Sequence, residues 1–168
     1  SRLTFASCTF ASNVSQLEGG AIISQNSTLI LSNSSFTSNQ NASANGGGAL
    51  NISGGTLSDL NGTYTANSCG PGSGGGALQW AGMDANFTGT TFSANQSASY
   101  RGGAIIATTG TLRFSKCTFS GNTSGARGGA VRGESVVLSF SESNFTSNES
   151  AINGGALSAE NAILTLTS

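Results

Sequence analysis

The sequence predicts an all-β protein, a right-handed three-sided parallel β-helix of about six coils, each of about 26–28 residues. Three observations predict it. A Gly-Gly-Ala motif occurs six times, an aromatic-x-x-Asn motif occurs six times, and the two alternate along all 168 residues. The segments between them alternate apolar and polar residues, as short half-buried strands do. Helices are disfavoured, because glycine, serine and β-branched residues dominate these segments.

The two motifs keep a fixed phase. The distance from the first glycine of Gly-Gly-Ala to the next aromatic is the same in all five cases, as from Gly19 to Phe36 and from Gly128 to Phe145, whereas the return distance varies. A stacked coil behaves in this way, because strands fix one arc and a loop on one side absorbs insertions. The Gly-Gly-Ala motifs begin at Gly19, Gly47, Gly75, Gly102, Gly128 and Gly154.

Each coil is predicted to contain three strands, with like residues stacked about 4.8 Å apart. The first strand follows Gly-Gly-Ala and turns inward Ile22, Leu50, Leu78, Ile105, Val131 and Leu157. The second strand turns inward one aliphatic column and then the column Phe5, Leu31, Asp59, Phe87, Phe114 and Phe140. The third strand precedes the motif aromatic and turns inward Cys8, Ser34, Gly62, Thr90, Cys117 and Ser143.

The glycine pair and the motif asparagine have structural interpretations. Paired glycines allow a tight bend with positive φ and a close approach between coils. A phosphate-binding loop would also need a helix start and a lysine, and neither follows these glycines. The motif asparagine is expected to turn inward, or to hold a turn by bonding its own backbone.

Composition excludes several functions. Charged residues make up 8% of the chain, the formal net charge is −1, and histidine is absent. The chain therefore has no basic face for nucleic acid and no histidine for a triad or a zinc site. No apolar run approaches the length of a membrane span, roughly 18 residues. We expect no cofactor and no metal.

Catalysis by paired carboxylates is also disfavoured. We expect no two acidic residues to share a column on adjacent coils within one strand. Glu134 and Glu160 come nearest, both just past a first strand. Glycoside hydrolysis needs two carboxylates facing one bond. The sequence therefore predicts a non-enzymatic protein, with a polysaccharide-acting β-helix enzyme as a minor alternative.

Gly-Gly-Ala-[Ile/Leu/Val] alternating with Phe-x-x-Asn resembles the repeat of the polymorphic outer membrane proteins of chlamydiae. Similar repeats occur in large surface proteins of algae and other protists. The resemblance covers essentially the whole chain, and its one departure is Tyr64 in place of Phe. It implies a secreted β-helical passenger used in surface display and adhesion. No catalytic residues come with it.

The chain is predicted to be a single β-helix segment, residues 1–168, that starts and ends within a coil. A solenoid interrupted within a coil exposes strand edges, and such edges need caps. We therefore expect a segment of a longer protein, covered by neighbouring coils or by copies of the same or a related surface protein.

N-glycosylation is a further prediction, because the sequon Asn-x-Ser/Thr occurs eleven times. Four of these sequons start at the asparagine of a Phe-x-x-Asn motif, where it would be hidden. The better candidates lie in the variable loop, between strands, or at outward strand positions: Asn41; Asn26, Asn33 and Asn61; and Asn86 and Asn144. Occupied sites would imply N-linked glycans and a eukaryotic secretory route.

The three cysteines are not expected to pair with one another. Cys8 and Cys117 share a column four coils apart, roughly 19 Å at the strand spacing, which is too far for a disulfide. We interpret both as small buried hydrophobic residues. Cys69 is expected in the variable loop, where it could form an intermolecular disulfide.

Two irregularities leave alternatives open. Asp59 interrupts a Phe/Leu column, so that coil is either a ligand site or a local bulge. In the bulge, Leu57 and Leu60 would enter the core, and Asp59 would turn outward or accept a hydrogen bond from the Tyr64 hydroxyl.

Arg101 and Arg127 stack before Gly-Gly near Arg132, and they either bind a glycan or an acidic partner or form a solvated turn.

The sequence favours an extracellular structural scaffold, a rigid rod of a cell-surface, wall or filament protein that displays loops or glycans. An adhesin of the bacterial autotransporter type is the alternative. The two share a fold and differ in what the outer face binds.

Overall fold

The computed structural model describes residues 1–43, 45–72, 74–98 and 101–168. All regular structure within these ranges is β, and every paired strand is parallel to its neighbours. The strands form one 11-stranded sheet and two 6-stranded sheets. No helix in the described ranges is long and apolar enough to cross a membrane.

The coils are numbered 1 to 6 by their motif aromatic. The strands of coils 1 to 3 are β1 (Arg2–Ala6), β2 (Thr9–Ala11), β3 (Val14–Ser15), β4 (Ile22–Ser32), β5 (Ser35–Thr37), β6 (Gln40–Asn41), β7 (Leu50–Leu60), β8 (Thr63–Thr65) and β9 (Ser68–Cys69). Those of coils 4 and 5 are β10 (Leu78–Ala81), β11 (Asp84–Thr88), β12 (Thr91–Ser93), β13 (Gln96–Ser97), β14 (Ile105–Ala107), β15 (Thr111–Ser115), β16 (Thr118–Ser120) and β17 (Thr123–Ser124). Those of coil 6 and the following turn are β18 (Val131–Glu134), β19 (Val137–Ser141), β20 (Asn144–Thr146), β21 (Glu149–Ser150), β22 (Leu157–Glu160) and β23 (Ile163–Thr167).

The predicted three-sided parallel β-helix is confirmed, with differences in detail. The first and second strands of each coil lie in the 11-stranded sheet, and they merge into one strand in β4 and β7. The third strand is centred on the motif aromatic rather than preceding it. A fourth strand of two residues, which the sequence did not predict, follows the motif asparagine and forms the third sheet.

Like residues stack on like residues, as the repeat phase predicts. The motif aromatics pair directly between coils, for example Phe10 with Phe36 and Phe92 with Phe119. Their rings form one continuous column with centroids 4.8–5.0 Å apart. Phe87, Phe114 and Phe140 form a second column, which meets the first edge to face. These two columns contribute stacked and T-shaped aromatic contacts to the core.

At the second glycine of the pair, successive coils approach too closely for a Cβ atom to fit between them. A Cβ added at Gly103 would lie 1.9 Å from the carbonyl oxygen of Gly129 in the next coil. The second glycines of the four other pairs with a following coil meet the same obstacle at 1.9–2.0 Å. The first glycine has positive φ in four of the six pairs. The tight bend and the close approach expected of this motif are confirmed.

Candidate functional site

The motif asparagines form a hydrogen-bonded ladder through the core, the asparagine ladder, made of Asn13, Asn39, Asn67, Asn95, Asn122 and Asn148. The side-chain amide of Asn95 donates to Asn122 Oδ1 at 2.9 Å and to the backbone oxygen of Tyr64 at 2.9 Å. Its backbone N–H donates to the same Oδ1 at 3.0 Å. The four middle members are fully buried. The inward orientation expected of this residue is confirmed.

The hydrogen bonds of the asparagine ladder offset the free-energy cost of burying a polar side chain in the core. A buried amide without partners would be strongly destabilising, whereas a satisfied network specifies one arrangement. Each of the four buried ladder asparagines uses both amide hydrogens and its oxygen in bonds to adjacent coils. A slip of one residue would leave these groups unpaired, so the ladder fixes the register of the stack.

A group of ion pairs, the charged corner, occupies the side of coils 4 to 6 where the Gly-Gly-Ala motif begins; it consists of Arg101, Arg127, Arg132, Glu134 and Glu160. Arg101 reaches Glu134 at 2.6 Å, and Arg127 reaches Glu160 at 3.4 Å. Arg132 is 2% exposed and donates to Glu134 at 2.9 Å and to Glu160. It also donates to Ser158 Oγ at 2.8 Å.

The charged corner corrects one expectation about the acidic residues. Glu134 and Glu160 do share a column, because β18 and β22 pair in register and place them side by side. Both carboxylates are held by arginines. The hydrogen bond and charge of Arg132 hold the pKa of Glu160 below its usual range, although burial opposes this effect. The two arginines expected to bind an external anion or to lie in a solvated turn are paired within the chain.

The irregular third coil is not a bulge. Residues 56–60 of β7 pair in continuous register with β4 on one side and β11 on the other, and Asp59 keeps its inward place between Leu31 and Phe87. Asp59 is 2% exposed and accepts from the Tyr64 hydroxyl at 2.7 Å. Leu60 is exposed rather than part of the core. Of the alternatives from the sequence, the Tyr64 contact is confirmed, and the outward Asp59 and the buried Leu60 are wrong.

Five of the six glycosylation candidates are exposed. Asn33 and Asn61 lie at corners between strands, whereas the expected place of Asn26 between strands is wrong, because it lies within the merged strand β4. All three have φ of 47–53°. Asn86 and Asn144 face outward from the second and third strands, as their parity predicts. Asparagine tolerates the left-handed conformation better than most residues, which explains its use at these corners. Whether any of them carries a glycan stays a prediction.

Asn41 differs from the other candidates. The expected place in a variable loop is wrong, because Asn41 lies on the fourth strand of coil 2 and is fully buried. Its side-chain amide donates to the backbone oxygen of Asn45 at 2.6 Å. The nitrogen that a glycan would modify is therefore already hydrogen-bonded and covered.

Cys69 lies on the fourth strand of coil 3, not in the expected loop. It is 2% exposed, and its thiol donates to the backbone oxygen of Gly46 at 3.1 Å. Burial raises the pKa of Cys69 and of Cys117 to about 11. Cys117 is fully buried and Cys8 is half-buried, which agrees with their assignment to one inward column. An intermolecular disulfide at Cys69 stays a prediction, and it requires the strand to open first.

Within the described ranges, no group of three or more His, Cys, Asp or Glu residues is placed to hold a metal ion. The one in-register carboxylate pair in the charged corner is bound by three arginines. A general acid in glycoside hydrolysis needs a raised pKa, and the pKa of Glu160 is lowered.

The fold and its stacked columns define a β-solenoid repeat protein. A model of the Chlamydia polymorphic membrane protein repeat matches residues 116–134, which contain Phe119-x-x-Asn122 and Gly128-Gly129-Ala130. The chain thus carries a repeat of this family, and the resemblance inferred from both motifs is confirmed. Searches of curated proteins and of solved structures returned no significant match. Such a repeat in a β-solenoid fits a surface protein of the autotransporter-passenger kind.

Proposed function

We propose that this chain is a rigid, non-enzymatic β-helical rod of an extracellular or cell-surface protein. The observation that carries the proposal is the continuity of the asparagine ladder and the aromatic column through all six coils. Both columns are built from inward side chains that bond or stack one coil on the next, as a stiff rod requires. Asp59, a polar residue in a neighbouring inward column, also points into the core.

Rigidity follows from the way each coil is fixed by its neighbours. Backbone bonds, the asparagine ladder and stacked rings all join one coil to the next at a common spacing. Stability in such a stack is a sum of interfaces between neighbours, so a long rod needs no larger core. The exposed corners and the variable loops are left free to display glycans or to contact copies of the same protein in a filament or wall.

A bacterial adhesin is the second candidate, and buried sequons favour it. Asn95 and Asn122 begin sequons, are fully buried, and use both amide hydrogens in the asparagine ladder. A glycan attached to either residue before folding would prevent the ladder from forming, because a glycan is bulky and needs the surface. A chain made in a eukaryotic secretory pathway would face this hazard at every such site.

Glycopeptide mass spectrometry on native material distinguishes the two candidates. The glycosylated rod predicts occupancy at the exposed Asn33, Asn61 or Asn86, and bare Asn95 and Asn122 as internal controls. Bare exposed sites throughout would count against the glycosylated rod and favour the adhesin. Occupied Asn95 in folded protein would contradict the ladder itself.

A binding assay tests the adhesin directly. Beads coated with the folded chain would be exposed to cultured host cells, with beads carrying Gly103→Val protein as the unfolded control. An adhesin predicts retention by the folded chain alone. A scaffold predicts equal, low retention for both proteins, and self-association of the folded chain would then be measured by sedimentation.

A further inference from the structure

Three departures from the repeat occur together in coil 3. Asp59 stands where neighbouring coils have Leu31 and Phe87, Tyr64 replaces phenylalanine, and Gly62 replaces a residue with a side chain. A Cβ at Gly62 would lie 2.4 Å from both carboxylate oxygens of Asp59. Gly62 therefore leaves the space that the carboxylate fills on its way to the Tyr64 hydroxyl. The three substitutions form one unit rather than three separate irregularities.

The carboxyl of Asp59 has no basic neighbour among the described residues. Leu31 of β4 and Phe87 of β11 flank it, and Tyr64 of β8 supplies its one side-chain hydrogen bond. None of the ion pairs in the described ranges includes Asp59. The remaining titratable group whose charge would reach it is the thiol of Cys117, which stays neutral at and below neutral pH because burial raises its pKa to about 11.

Two buried polar atoms near Gly62 lack hydrogen-bond partners among the described residues. Asp59 Oδ1 and Thr90 Oγ1 are both buried without a hydrogen bond among the described residues. Thr90 follows Gly62 by one coil in the same inward column. A carboxylate with one unbonded oxygen in an aromatic core is a poor place for a negative charge, whereas a neutral carboxylic acid is tolerated.

We propose that the Asp59–Gly62–Tyr64 unit is a pH-dependent latch, which closes coil 3 most tightly in mildly acidic surroundings and loosens it as the pH rises to neutral. The chain has no histidine, so no other side chain ordinarily titrates between pH 5 and pH 7. Ordinary carboxyls titrate near pH 4 and ordinary thiols above pH 8. A single buried residue thus makes stability depend on pH in a range where ordinary carboxyls and thiols do not titrate.

The direction of the pH dependence follows from the protonated and the charged states of Asp59. Burial raises the pKa of this carboxyl from 3.8 to about 6, against the opposing effects of the Tyr64 hydrogen bond and of the nearby backbone N–H of Gly62. The folded chain therefore holds the proton more tightly than the unfolded chain. The stabilisation is complete below pH 4 and is lost as the pH rises through 6. Between pH 5 and pH 7, the equilibrium constant for unfolding should rise about tenfold.

Urea unfolding of the full chain at pH 5, 6 and 7 tests the latch. Wild type should become about tenfold easier to unfold across this range, and Asp59→Asn should show no such slope, because the amide accepts from Tyr64 without titrating. Asp84→Asn, at an exposed carboxyl, is the matched control and should keep the wild-type slope. A flat wild-type profile, or the same slope in Asp59→Asn, would overturn the proposal.

A second measurement remains decisive even if Asp59→Asn fails to fold. Infrared spectroscopy of wild type should show a protonated carboxyl band that persists from pH 5 to about pH 6, above the range in which ordinary carboxyls lose their protons, and that disappears by pH 7.5. Tyr64→Phe removes a hydrogen bond that favours the charged form, so the band should persist to higher pH in this variant. If Tyr64 had a purely structural role, Tyr64→Phe would not change the pH at which the Asp59 carboxyl loses its proton. Absence of the band in wild type at pH 5 would also overturn the proposal.

Discussion

Replacing Gly103 with alanine should strongly destabilise the stack, because the added methyl group has no space between two coils. The new Cβ would lie 1.9 Å from Gly129 O and 2.7 Å from Thr123 N, whereas real Cβ contacts are essentially never under 3.0 Å. Both obstacles are backbone atoms of the next coil, so neither can move aside by changing a rotamer. Coils 4 and 5 must therefore separate by about 1 Å or more at this corner, because an overpacked site relaxes through backbone shifts.

The size of the stability loss follows from the hydrogen bonds that this separation of the coils breaks. Gly103 N–H donates to Gly128 O at 2.9 Å, and Ala104 and Ile105 N–H both donate to Ala130 O at 2.9–3.0 Å. Each bond contributes about 1 kcal/mol, and each buried group left unpaired costs somewhat more. We expect a loss of about 3–5 kcal/mol, a large part of the stability of an ordinary domain.

Urea denaturation measures this loss, and Gly121→Ala is the matched control. Gly121 has φ of 61°, and nothing lies within 4 Å of its added Cβ. Ala66 and Ala94 occupy the same corner in other coils with φ of 54° and 52°. Gly121→Ala should therefore cost no more than about 1–2 kcal/mol. Equal midpoints for the two variants would refute the close packing of coils at the glycine pair.

Three further predictions concern the ladder, the charged corner and a thiol. Asn95→Ala should cost about 3–5 kcal/mol in urea unfolding, because two donors and one acceptor lose partners in the core, whereas the exposed Asn86→Ala should cost under about 0.5 kcal/mol. Arg132→Ala should lower stability by about 2–3 kcal/mol, while Arg113→Ala, at an exposed pair, should cost at most about 1 kcal/mol. The Arg132 effect should weaken in acid as Glu160, whose pKa Arg132 lowers, becomes protonated. Cys69 should react with a thiol reagent far more slowly in native protein than in urea, and fast native labelling would contradict its burial.

Much of the fold was readable from the sequence because its signals are periodic. Fixed distances between the motifs set the register, and apolar residues at every second position set the inward face of three strands. The structure repeats both features, as Phe36 on Phe10 and Leu112 on Ala85 illustrate. Six copies of one pattern carry far more information than one copy does.

The fourth strand was missed because its inward column is polar. Its inward residues are Ser15, Asn41, Cys69, Ser97, Ser124 and Ser150. Apolar alternation therefore cannot detect this strand, and so short a strand gives no period. Backbone oxygens in the adjacent loop accept from five of these six side chains, as when Ser124 Oγ donates to Arg127 O at 3.2 Å. Asn41 and Cys69 were misplaced for this one reason.

The charged corner was missed because its contacts join different columns. Arg101 and Glu134 are 33 residues apart, and so are Arg127 and Glu160. That distance exceeds the length of one coil, so stacking like on like does not predict it. The sequence did contain one signal of these contacts, because the same separation of 33 residues occurs in both Arg–Glu pairs. Oppositely charged residues at a common spacing therefore indicate a contact between neighbouring coils in a solenoid.

Labelling of intact cells tests most directly the claim that this solenoid lies on a cell surface. Lys116 is the single lysine of the chain, and its side chain is 65% exposed. A membrane-impermeant amine reagent applied to living cells should modify Lys116 as efficiently as it does after lysis, while a cytosolic marker stays unlabelled. Labelling of Lys116 that appears only after lysis would contradict the surface rod and the adhesin together.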